Sequence, residues 1–180
     1  VIVHVNAVPV MPVTILGVAT QNNLLEAVCS PVDADGYDEL QYQWFSGPDE
    51  IANANGKTYL LTNADVGKLI SVKVSYVDGH GTTESATSAA TSAVLNVNDA
   101  PTVGALAVDG LEDALAITGR VQGNDIDAGA VLTYALNGIV PDGLSFNADG
   151  SFAFDPSVLP ALAPNDTHIV TFDYVANDGL

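Results

Sequence analysis

Two short acidic motifs, Asp33-Ala34-Asp35-Gly36 and Asp125-Ile126-Asp127-Ala128-Gly129, set carboxylates one residue apart in turn-forming sequence, and Asp78-Gly79 and Asp178-Gly179 again join an acid to a glycine. Oxygen donors at that spacing suit a divalent cation, above all calcium, which takes about six to eight carboxylate, carbonyl and water oxygens. The whole chain leans the same way. Its 180 residues carry 22 Asp and Glu against four Lys and Arg, a formal net charge of -18. Such an excess favours a partner that supplies positive charge, and metal ions are the simplest one. It argues against nucleic acid, whose phosphates need clustered cations, because only Lys57, Lys68, Lys73 and Arg120 are available. An acidic membrane surface would be repelled as well, and no stretch reaches the roughly 18 apolar residues of a membrane helix.

Catalytic chemistry finds little footing. The Gly-x-Ser-x-Gly elbow, the phosphate loop and the dinucleotide fingerprint are missing, and His4, His80 and His168 lie too far from the single Cys29 for a zinc cage of known spacing. Paired acids could hydrolyse glycosides, but that needs a cleft, and a unit of about 90 residues filled by its own core leaves little room for one. Neither the EF-hand pattern, which breaks at Tyr37 and Asp38, nor a glycine-rich calcium nonapeptide is present. Cys29 in an apolar run reads as a small core side chain. Asn165-Asp166-Thr167 matches a glycosylation acceptor by chance.

The acidic motifs recur at a fixed interval. Asn6 to Asn98 and Pro9 to Pro101 are both 92 apart, and Asp33 and Asp125 each stand 27 beyond their Asn, since 33 − 6 and 125 − 98 are both 27. Tyr76-Val77-Asp78-Gly79 is answered by Tyr174-Val175-Ala176-Asn177-Asp178-Gly179. Two units of one design follow. Ile2 to Asn6 match Val94 to Asn98, so residues 1–8 are expected to be the end of a preceding repeat and its linker. The units would then be 9–97 and 102–180, joined by a linker at 98–101, with the second unit short of its last strand.

These acids must be held by strands. Leu40–Phe45 and Leu69–Tyr76 alternate with period two, Ile70, Val72, Val74 and Tyr76 on one side and Ser71, Lys73 and Ser75 on the other. Val131–Leu136, Ser151–Phe154 and Ile169–Tyr174 repeat the pattern, and Ser85–Ala93 is expected to close the first unit. Asp-Gly and Asn-Gly pairs punctuate the chain with turns, and short helical turns are expected at Asn63–Asp65 and around Pro156–Leu162. The fold class predicted is all-β, two tandem β-sandwiches. Trp44 then belongs to the core, in preference to a role as a sugar-stacking platform.

The linker Val97-Asn98-Asp99-Ala100-Pro101, the pair Glu112-Asp113, Gly123-Asn124-Asp125-Ile126-Asp127 and Asp149-Gly150-Ser151-Phe152-Ala153-Phe154-Asp155-Pro156 resemble the cadherin-like, VCBS-type repeats of large bacterial RTX-type surface adhesins. The first unit, with Ala34-Asp35-Gly36, Tyr42-Gln43-Trp44, Thr62 to Lys68 and Ser75 to Gly79, resembles the Ig-like units of the same proteins. The resemblance implies tandem extracellular domains, on the bacterial surface or secreted, often rigidified by calcium, that hold a distal adhesive module away from the cell. Their partners would be neighbouring repeats of the same chain.

On an Ig-like topology Asn98, Asp99, Asp125, Asp127 and Asp178 converge at one pole, with Glu112 near enough to join and Asp65, beside Asn63, facing the junction from the first unit. Such a pole should bind Ca2+. Asp33, Asp35, Asp78 and Asn6 mark the corresponding pole of the first unit. There Ala7 stands where the second linker has Asp99, so an ion is expected to be held weakly or not at all. The expected function is a non-enzymatic, calcium-stabilised spacer. The alternatives are a module that binds a host or surface glycan or protein, and an accessory domain of an extracellular hydrolase.

Overall fold

The computed structural model describes residues 5–180, so the matched segment Ile2 to Asn6 lies largely outside the described residues. The described residues are all-β apart from two single turns of 3-10 helix, and the chain divides between Val97 and Asn98 into two compact units.

In the first unit β1 (Val13–Leu16), β2 (Leu24–Cys29) and β5 (Thr58–Leu60) form one antiparallel sheet in the order β1-β2-β5. The second sheet has the order β4-β3-β6-β7, from β3 (Gln41–Ser46), β4 (Asp49–Glu50), β6 (Ile70–Val77) and β7 (Thr83–Thr87). Alternation on β6 sends Ile70, Val72, Val74 and Tyr76 inward, each at most 1% exposed. Ile70, Val72 and Val74 share a core cluster with Leu25 and Ala27 of β2, both fully buried, so the two sheets enclose one core as a sandwich. Trp44 is at its centre with no exposed surface. Its indole Nε1 donates to the Gly56 carbonyl at 2.9 Å, and its ring stacks on Tyr59 at 5.7 Å. A sugar platform is thereby excluded for Trp44. Cys29 packs at the core margin, where burial pushes its thiol above the ordinary value.

The ladder of β7 ends at Thr87, short of the expected strand to Ala93. The reason is side-chain chemistry. Beyond Thr87 the hydroxyls of Ser88 and Thr91 accept from the N–H groups of Val72 and Ile70, both at 3.1 Å, in place of backbone carbonyls. The chain still returns bonds through Ser88 N to Val72 O and Thr91 N to Ile70 O, each 2.9 Å.

The second unit has three small sheets. β8 (Thr102–Val103) pairs with β10 (Gly123–Asn124), β11 (Thr133–Asn137) pairs with β14 (Asp173–Asn177), and β12 (Leu144–Phe146), β13 (Ser151–Phe154) and β9 (Ile117–Arg120) follow the order β12-β13-β9. Val121, Phe152 and Phe154 are buried, and Phe172 links the sheets edge-on to Phe152 and Phe146 at 5.2 and 6.0 Å. Gly119 pairs directly with Phe152, whose ring occupies the space a Cβ would need. The strand expected from Ile169 begins only at Asp173, because its partner β11 stops at Asn137 and Gly138, with φ +94°, turns the chain away.

Candidate metal centre

Each unit gathers acids where the lead-in segment meets two loops. In the first unit the loop after β2 carries Asp33 and Asp35, and Asp78 directly follows β6. A bridge between Tyr37 and Asp78 and a 3.2 Å bond from Gly79 N to the Asp35 carbonyl hold the loops together. Asp33 Oδ1 accepts from Asp35 N at 2.9 Å, the turn an aspartate makes on its own backbone. Asp35 Oδ2 accepts from Ala7 N at 2.8 Å.

The same three-residue figure recurs in the second unit. Asp125 Oδ1 accepts from Asp127 N, and Asp127 Oδ2 accepts from Asp99 N, both at 2.8 Å. The offset of 92 residues therefore holds atom for atom, as 125 − 33, 127 − 35 and 99 − 7. Asn98 Nδ2 donates to Asp178 Oδ2 at 2.9 Å, and Leu180 N donates to Asp178 Oδ1 at 3.0 Å. The Leu180 N–H and then the Asn98 amide hold the Asp178 carboxyl below the ordinary range. Asn98, Asp99, Asp125, Asp127 and Asp178 thus share one corner of the second unit.

Two expected ligands stand elsewhere. Glu112 Oε2 accepts from Leu162 N at 2.8 Å, which ties it to the segment after the 3-10 turn Pro156–Val158 instead of the Asp125 loop. Asp65 is 3% exposed, and its Oδ2 is taken by three donors, Thr62 N, Thr62 Oγ1 and Tyr59 Oη, all at 2.9 Å. It caps the 3-10 turn Asn63–Asp65 and has a structural task in place of the ligand role expected for it.

What distinguishes the two corners is the partner of each remaining oxygen. Asp125 Oδ2 and Asp127 Oδ1 are buried and have no hydrogen-bond partner. In the first unit Asp33 Oδ2 accepts from Tyr76 Oη at 2.8 Å, and His80 Nδ1 stands 3.6 Å from Asp35 Oδ1. Burial and then the Asp33 bond push the Tyr76 hydroxyl well above its ordinary range. Tyr76 reads in the sequence as one more core residue, and His80 as one of three scattered histidines, so neither announces its place beside an acid. Asp78 is 3% exposed, with Oδ1 accepting from His80 N and Thr82 N at 2.9 and 2.7 Å and Oδ2 unpartnered. Burial works to raise that carboxyl, but the Thr82 and His80 N–H groups, together with the Thr82 side chain and the His80 ring, outweigh it and hold it below the ordinary range.

Unpartnered buried carboxylate oxygens are costly, and an ordered water or a cation can satisfy them. The second corner fits calcium in that respect. Among the described residues, however, no three His, Cys, Asp or Glu side chains stand close enough to hold an ion by themselves. An ion there would draw its remaining oxygens from carbonyls, the Asn98 amide and water, all of which calcium accepts. Elsewhere, a groove of about 320 Å3 on the first unit is lined by Val13, Thr14, Ile15, Gly17, Ala19 and residues 89–92, without a titratable side chain.

No family model matches the sequence, and no curated protein matches it. Among solved structures, the crystal structure of murine CEACAM1b aligns over 81% of this chain and 84% of its own, at 13% identity and a TM-score of 0.29, too loose a likeness to carry an argument. Among the described residues no helix is long and apolar enough to cross a membrane.

Proposed function

We propose that this chain is a calcium-stabilised spacer segment of a bacterial cell-surface or secreted adhesin, a non-enzymatic run of β-sandwich units that carries a distal adhesive module away from the cell. The observation that supports it best is the acidic corner repeated at an interval of 92 residues, with two buried oxygens, Asp125 Oδ2 and Asp127 Oδ1, lacking a donor in the second unit. Linker motif and paired acids also follow the resemblance to adhesin repeats described above.

In this reading calcium supplies positive charge that offsets the mutual repulsion of the carboxylates. The chain's own groups do the rest. Asp99 N and the Asn98 amide fasten the lead-in segment to the Asp127 and Asp178 carboxylates. With those carboxylates neutralised, the segment is held against the body of its unit, and bending there is limited. Strands and turns carry the tension.

Chelation tests this. EDTA should lower the melting temperature of the calcium-loaded chain and broaden its distance distribution in small-angle scattering, because an ion that binds only the folded state stabilises it by mass action. Unchanged melting and scattering would refute the metal role.

A further inference from the structure

In the first unit the stretch Val94–Val97 is seated in a slot between two walls. Val66, just past the 3-10 turn Asn63–Asp65, bridges Val94 in parallel, and Thr20, ahead of β2, bridges Leu95 in parallel. Gly67 N donates to the Val94 carbonyl, Val94 N to the Lys68 carbonyl, Gln21 N to the Leu95 carbonyl and Leu95 N to the Ala19 carbonyl, each at 2.9 Å. Gln21 Oε1 then accepts from Val97 N at 3.1 Å. Val94, 2% exposed, completes that core. The second unit builds the same two walls. β13 leads into the 3-10 turn Pro156–Val158 as β5 leads into Asn63–Asp65, and Glu112 and Asp113 precede β9 where Thr20 and Gln21 precede β2, since 112 − 20 and 113 − 21 are both 92. Here the walls border a groove of about 280 Å3 whose lining includes Glu112, Asp113, Pro156, Leu159, Pro160 and Ala161. Among the described residues no strand bridges Glu112, Asp113 or Leu159, and Leu111 and Val158, next to the lining, stay 72% and 48% exposed.

The chain carries a segment of the matching kind. Ile2-Val3-His4-Val5-Asn6 correspond to Val94-Leu95-Asn96-Val97-Asn98 at the same offset, 94 − 2 being 92. Residues 1–4 lie outside the described residues, and Val5 is 81% exposed. In a chain of net charge -18 the stretch 1–6 holds no acid, so it approaches Glu112 and Asp113 without adding like charge. We propose that the groove beside Glu112 is a strand-acceptor slot, and that its occupant is the segment Val1–Asn6 of a second copy of this chain. Carried over by the offset, Ile2 lies beside Leu159 as Val94 lies beside Val66, Val3 bridges Glu112, and Asp113 accepts from Val5 N as Gln21 accepts from Val97 N. Glu112 keeps its side-chain bond to Leu162 N, because bridging uses backbone groups. Each copy gives its segment at one place and receives another elsewhere, so the contact is heterologous and copies add head to tail. The slot shares no residue with the acidic corner, and the calcium reading does not enter.

Sedimentation velocity over a concentration series decides it, with the full chain run beside a chain lacking residues 1–5 and beside Ala161→Trp, which fills the groove from an exposed position. The full chain should show a weight-average mass that climbs with concentration past twice that of one chain. Either change alone should lower the association constant about tenfold or more. Leu159→Asp repeats the second arm should Ala161→Trp fail to fold. Mixing the truncated chain, which keeps the slot, with Ala161→Trp, which keeps the segment, should restore pairs but no longer oligomers. A monomer throughout the series, association that survives removal of residues 1–5, or a mixture that does not pair would overturn the proposal.

Discussion

Asp65, Asp78 and Asp127 are all aspartates beside a turn, yet their carboxylates meet different fates. Asp65 is enclosed by Thr62 and Tyr59, Asp78 is half satisfied by backbone N–H groups, and Asp127 keeps an oxygen with no donor. Asp65→Ala should therefore destabilise the first unit by about 1–3 kcal/mol, since it strands the Thr62 N–H and the Tyr59 hydroxyl. Urea unfolding checks the loss, and calcium affinity should not change. An altered affinity would return Asp65 to the ligand set. Tyr59 gives a pH signature, because burial and then Asp65 push its hydroxyl up to about 12. With the folded value above the unfolded one of about 10, its contribution is whole below pH of about 10 and is lost as pH rises through about 12. Stability should thus decline across that window, and less steeply in Tyr59→Phe; equal slopes would contradict the assignment. Which acids come in pairs is legible in sequence. Which donor claims each oxygen is not, because Tyr76 and Leu162 reach Asp33 and Glu112 from 43 and 50 residues away.

At the scale of elements, β6 shows why some strands can be read directly. Its alternation sends Ile70, Val72 and Val74 to one core and buries Tyr76 on the same side, and the pairing follows. The segment beyond β7 cannot be read this way, because hydroxyls of Ser88 and Thr91 take over ladder positions and small side chains leave no periodic stripe. Ser88→Ala should cost about 1–3 kcal/mol by leaving the Val72 N–H without that acceptor in a buried setting. A denaturation midpoint equal to that of the unsubstituted chain would show that another group satisfies Val72. The start of β14 was hidden for a related reason. Ile169 and Val170 carry β-branched side chains, but a strand exists only where a partner runs beside it, and β11 has turned away at Gly138.

For the whole molecule the dominant quantity is charge, 22 acids against four bases in 180 residues. Self-repulsion of that size opposes compaction, and salt screens it, with a Debye length falling from about 30 Å at 0.01 M to about 10 Å at 0.1 M. The calcium-free chain should therefore melt higher as sodium chloride is raised. Millimolar calcium should achieve more than the same ionic strength of sodium chloride, because an ion seated on buried oxygens satisfies groups that the ionic atmosphere does not reach. Equal effects at equal ionic strength would point to general screening alone. The most direct measurement is a crystal structure of the chain grown with calcium. An ion about 2.3–2.6 Å from Asp125 Oδ2 and Asp127 Oδ1 is the expected result; water alone beside those two oxygens would contradict the metal role.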